Sequence, residues 1–132
     1  MDVAAANASL DNDYGDSHGD HAPATHYLAL FRDTTWDTEL TGTAGVDRIP
    51  ITNNSTNWPD AADGEKTLGA TLESDPSTDV WDFDAQAWAL MDAATAGNRG
   101  DGGELDDPLS VDDVGAVITV DAGSLVVAYE TD

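Results

Sequence analysis

An all-β single domain, a β-sandwich or jelly roll preceded by a short N-terminal helix or arm, is the fold this sequence predicts, on three observations. Short apolar or alternating runs recur at near-regular spacing, each bounded by Gly, Pro, Asn, Asp or Ser. Only one segment, alanine-rich and at the start, carries apolar residues at helical spacing. At 132 residues the chain is long enough for one hydrophobic core and short for two domains.

Residues 2–10 place Val3, Ala6 and Leu10 on one helical face. Residues 11–23 hold Asp, Gly, Ser and His without apolar periodicity and read as a solvated loop. Residues 1–25 are therefore expected to be a helical segment and acidic arm, and residues 26–132 the sandwich. Strands are expected at 26–32 and at 46–52, where Pro50 implies an edge or a bulge because it cannot donate to a ladder. Residues 53–65 are dense in turn formers. Residues 66–73 alternate as one half-buried strand, and 80–91 alternate with Trp81, Phe83, Ala85, Ala87, Ala89 and Met91 in one parity. The Ala, Leu and Met content of that last stretch keeps a helix open as the alternative. Residues 93–103 read as a glycine-rich turn, Glu104 and Leu105 as a short strand ended by Pro108, and 117–120 with 125–129 as a terminal hairpin.

Charge is the strongest compositional signal: 27 acidic residues face 4 basic ones, a formal net charge of −23. High charge can mean disorder, but the apolar stretches at 27–31, 88–91 and 114–129 and four tryptophans supply what a core needs. In a folded chain the carboxylates repel one another, and molar salt, with a Debye length of about 3 Å, removes most of that cost. The acid is carried mainly by aspartate and lysine is reduced to Lys66, a composition suited to a salt-saturated environment. No basic face exists for phosphate, so nucleic acid is not an expected partner. No apolar run approaches the roughly 20 residues of a membrane helix. Met1-Asp2-Val3 opens without a basic region or apolar core, unlike a secretory signal. The absence of cysteine removes disulfides and thiolate chemistry.

Constellations for chemistry are weak. His18 and His21, near Asp16, Asp20 and His26, have ligand types that suit transition metals but lie in an expected loop. Asp60, Asp63 and Glu65, like residues 101–104, could attract a hard cation but lack the order of an EF-hand. Loosely held Na, K, Mg or Ca is the expectation, with no cofactor. No nucleophile elbow, Walker loop or dinucleotide fingerprint occurs, and an enzyme is not expected. Trp81 and Trp88 are read as core. Trp36 and Trp58 lie among polar turns, where an aromatic suits an interface.

Several segments resemble a family of small virion proteins of tailed phages, described as tail-fibre, head-fibre or capsid-decoration proteins. They are Asn7 and Ala8, the 27–31 strand, residues 38–40 with 45–48, residues 53–59 (NNSTNWP), residues 63–72 (DGEKTLGATL), Trp81, residues 91–98 (MDAATAGN) and the close at 111–129. The similarity runs from about residue 6 onward, and its most specific pieces are the Trp58-Pro59 segment and the 92–98 turn. The chain departs from the family pattern in its acidity, in Asp47 and Arg48, and in its N-terminal arm. The resemblance implies a β-rich module that assembles on a particle, and the acidity points to a virus of haloarchaea. A symmetric homo-oligomer, a trimer first, is expected, docking to a major capsid protein or other virion proteins through Val3 and Leu10 or through Trp36 and Trp58. A tail-fibre or host-surface-binding module and a cation-dependent halophilic soluble domain are the alternative expectations.

Overall fold

The computed structural model describes residues 2–15, 19, 22–42 and 45–128. The expected all-β single domain with a short N-terminal helix is what forms. Helix α1 (Val3–Asp13) begins because the Asp2 carboxylate accepts from the Ala5 N–H at 2.7 Å, satisfying one orphan donor of the first turn. It stops at Tyr14, which turns extended while its N–H still reaches the Leu10 carbonyl at 2.8 Å. Ala6 and Leu10 face inward; Val3, one turn earlier, is 41% exposed.

Strands β1 (Thr25–Phe31), β2 (Ile49–Thr52), β5 (Ala85–Met91) and β6 (Arg99–Leu109) form an antiparallel sheet in the order β2-β1-β5-β6. Two small ladders make the opposite layer. One pairs β3 (Glu65–Thr67) with β8 (Val126–Ala128), the other β4 (Leu72–Glu73) with β7 (Thr119–Val120). Between the layers lies the main core, to which Leu10 and Tyr14 come from the helix, Leu28, Leu30, Trp88 and Leu90 from the central strands, and Val120, Leu125 and Val127 from the far side. Helix and sandwich thus share one core, so the division expected at residue 25 separates parts that pack together.

The central strands are buried on both faces, which is why β1 and β5 read as nearly continuous apolar runs. The second face carries Ala29, Phe31, Ala87, Ala89 and Met91, with Trp36 and Tyr27 packed on them. Ala29, Ala87 and Ala89 leave room for the Trp36 ring, which is anchored on this face by its bond to the Trp88 carbonyl.

Several elements differ from expectation. β5 starts only at Ala85, and a register shift between Ala85 and Ala87 puts Ala85 in the main core and Ala87 on the other face. The shared parity with Trp81 and Phe83 is therefore broken by a bulge. The turn expected over 93–103 is shorter, because β6 starts at Arg99 and runs through Pro108. An edge strand tolerates that proline. The single strand expected over 66–73 is split into β3 and β4. The terminal hairpin is replaced: β7 and β8 pair with β4 and β3, not with each other.

Candidate docking surface

Two of the four basic side chains are consumed inside the fold. Arg48 forms a bidentate pair with Glu39, at 2.8 Å from Nε and 2.6 Å from Nη2, and its Nη1 donates to the Ala93 and Ala96 carbonyls at 2.8 Å each. It ties the return segment after β1 to the 92–98 turn. The Glu39 hydrogen bonds raise the Arg48 pKa above its ordinary value, outweighing partial burial. The turn itself is closed by Asp92, which accepts from the Asn98 N–H at 2.8 Å; that bond holds the Asp92 carboxyl below its usual value.

Lys66 is 1% exposed, and its Nζ meets Asp11 Oδ1 at 2.6 Å. Asp11 also accepts from the Ala61 N–H at 2.8 Å. Burial pushes the Asp11 carboxyl up, but the Lys66 and Ala61 hydrogen bonds and the Lys66 charge overcome this and leave it below its ordinary value. Beside this pair Asn53 accepts from the Gly15 N–H at 2.5 Å and donates to the Asp13 carbonyl at 2.9 Å, holding the end of α1 against the start of the 53–59 segment.

The residues singled out in the sequence divide as follows. Trp58 and Leu10, expected to dock to neighbours, are fully buried in this chain's own core, where Trp58 packs against Tyr14 with ring centroids 5.1 Å apart. The polar turns around Trp58 concealed that its ring points inward. Trp36 is half-buried on the chain's own sheet, with φ of 56° and Nε1 donating to the Trp88 carbonyl at 3.0 Å. Val3 stays exposed. Trp81 and Trp88 are core, as expected.

Asp63 and Gly64, both with positive φ, form the two-residue turn of a tight hairpin in which Ala62 and Glu65 exchange backbone hydrogen bonds of 3.0 and 2.9 Å. Asp60, Asp63 and Glu65 are each exposed, and the Asp-Gly pair is accounted for by turn geometry. His18 and His21 lie outside the described residues. Among the described residues no group of three or more His, Asp or Glu side chains is gathered as for a metal ion, and no helix is long and apolar enough to cross a membrane.

The other two basic side chains stand at the surface. Arg32 and Arg99 are exposed, and neither guanidinium is in an ion pair among the described residues. The Arg32 guanidinium carbon lies 3.8 Å from the centroid of the Phe83 ring, and that of Arg99 lies 5.0 Å from the Trp36 ring. Phe83 is 49% exposed and belongs to neither core cluster, and Val80, three residues before it, is 40% exposed. Sequence parity had placed Phe83 in a strand face, but β5 begins only at Ala85 and leaves Phe83 outside it. Fold and surface together define an acidic, all-β single domain with two arginines laid over aromatic rings. Comparison with protein-family models and with curated proteins finds no match to the chain.

Proposed function

We propose that the protein is a non-enzymatic virion structural protein of a haloarchaeal tailed virus, decorating the capsid surface and stabilising the particle in high salt. The observation that carries this reading is where the two most specific segments of the family resemblance fall. The 53–59 segment anchors the helix through Asn53 and fills the core through Trp58. The 92–98 turn is the platform gripped by Arg48. Both motifs are occupied in holding the fold, which is what a shared structural module requires of them. On this reading the resemblance is one of architecture, and assembly is assigned from it by fold-level analogy.

The acidic exterior supports the halophilic half of the proposal. Exposed aspartates hydrate the particle surface, and salt screens their repulsion. The test is protein identification and antibody labelling on purified virus particles. The protein is expected in stoichiometric amounts on the head surface, and its absence from intact particles would sink the assignment. Labelling confined to the tail would favour the fibre variant.

A further inference from the structure

The sequence holds three Asn-x-Ser/Thr triplets, at Asn7, Asn53 and Asn54, each the acceptor pattern for an N-linked glycan. The structure treats them unequally. Asn53 is 4% exposed, and its Nδ2 donates to the Asp13 and Pro23 carbonyls at 2.9 and 3.1 Å, so both amide hydrogens are spent inside the fold. Asn7 lies within α1 with its Oδ1 on the Gly64 N–H at 2.8 Å. Residues two apart on a helix point to opposite sides, so Asn7 and Ser9 are not offered to one enzyme together. Asn54 differs on both counts. Its Oδ1 accepts from the Asn57 N–H at 3.0 Å and its carbonyl from the Trp58 N–H at 2.9 Å, which folds the side chain over a turn carrying the exposed Ser55 and Thr56. Among the described residues the Asn54 Nδ2 makes no hydrogen bond, and the buried unpartnered side-chain atoms are the Trp58 and Trp81 indole nitrogens, so this Nδ2 reaches water.

We propose that Asn54 is an N-glycosylation site, its amide read by a glycosyltransferase together with the Thr56 hydroxyl. That hydroxyl belongs to an exposed residue and makes no hydrogen bond among the described residues. The co-reactant is a glycosyl phosphate, lipid-linked or nucleotide-linked. Nδ2 bonds to the anomeric carbon, the bond from that carbon to the phosphate oxygen breaks, and the phosphate leaves with the electron pair. Nδ2 gives up one of its two protons to the transferase, and nothing is oxidised or reduced. The base of the turn is held by Trp58 in the core and by Asn57, whose Nδ2 donates to the Thr52 carbonyl at 2.9 Å, so a bulky substituent on Asn54 displaces no core side chain. Glycan hydroxyls hydrate a surface without relying on charge, and their effect therefore survives the screening of carboxylates in molar salt.

The inference goes beyond the virion reading and does not depend on it. Peptide mass spectrometry tests it on the full chain made in a haloarchaeal host whose own surface proteins are N-glycosylated, with wild type, Ser9→Ala, Ser55→Ala, Thr56→Ser and Thr56→Ala compared. A glycan mass is expected on Asn54 in most wild-type chains, retained in Ser9→Ala, Ser55→Ala and Thr56→Ser, and lost in Thr56→Ala. Ser55→Ala erases the Asn53 triplet and preserves that of Asn54, so it separates the two adjacent asparagines. An unmodified Asn54 in wild type, a glycan that survives Thr56→Ala, or one carried by Asn7 or Asn53 instead would overturn the proposal. In a host lacking its membrane-bound oligosaccharide transferase, loss of the glycan identifies the lipid-linked donor and persistence the nucleotide-linked one. A glycosylated chain absent from particles refutes the virion assignment alone. An unmodified chain on particles refutes the glycan alone.

Discussion

The Asp11–Lys66 pair joins a helix to a strand, and its two ends sit in unequal surroundings. The Asp11 side chain is 33% exposed and that of Lys66 is 1% exposed. Removing Asp11 leaves a desolvated ammonium without an anion, and Asp11→Ala is expected to destabilise by about 3 kcal/mol, the low end of the range for breaking a buried pair. Lys66→Met strands only a carboxylate that water and the Ala61 N–H can still reach. Its cost is expected to be about 1 kcal/mol or less. Denaturant titrations at fixed high salt check the ordering, and equal losses would contradict it. The same pair sets a pH dependence. The Asp11 carboxyl is held below its ordinary 3.8, so its contribution is complete above that value and disappears as pH falls through the lower folded value. Wild type minus Asp11→Asn stability is thus expected to shrink in melts below about pH 4 and to stay flat above it. None of this was legible in the sequence, because lysine is almost never fully buried unless paired. The pairing partner lies fifty-five residues away.

At the scale of elements, legibility followed burial. Strands β1 and β5 were visible because both faces of each are covered and their residues are apolar almost throughout. Of β6 only Glu104 and Leu105 were visible, since an edge strand with Gly100, Gly102 and Gly103 has little apolar alternation to detect. Its glycines do have a geometric reason. A Cβ at Gly102 would sit 2.5 Å from the Trp88 carbonyl oxygen, the atom that accepts from the Trp36 indole. Gly102→Ala is expected to cost about 1–3 kcal/mol through overpacking and to shift tryptophan emission to the red as Trp36 loosens. Unchanged emission would remove Gly102 from that role. The exchange of pairing partners between the expected terminal hairpin and the observed ladders has the same origin. Residues 119–120 and 126–128 announce strands, but a turn at 121–124 is compatible with either arrangement, and only the distant β3 and β4 decide between them. Among the aromatics it was Phe83, hidden behind a false strand parity, and not Trp58 that stayed outside.

For the whole molecule, charge density governs the conditions in which the fold persists. Spread over 6913 Å², the 27 carboxylates lie roughly 16 Å apart, about two Debye lengths at physiological salt and five at molar salt. The repulsion of each with its neighbours is small, but it is summed over the entire surface with four cations to offset it, two of them internal. Dialysis from molar to millimolar KCl is expected to abolish the folded circular dichroism signal, and returning the salt to restore it. A spectrum unchanged at low salt would contradict the account.

The outer side of β6 has a consequence for how such a molecule avoids uncontrolled polymerisation. Among the described residues no strand pairs with its outer edge, which is a ready template for another strand. Glu104, Asp106 and Asp107 post like charges along it, and Pro108 interrupts its donors. In brine the charges are muted and the proline is not. The burden of keeping neighbouring sheets from zipping together then passes from electrostatics to a single ring that lacks an N–H, and replacing it is the shortest route from separate molecules to a fibre.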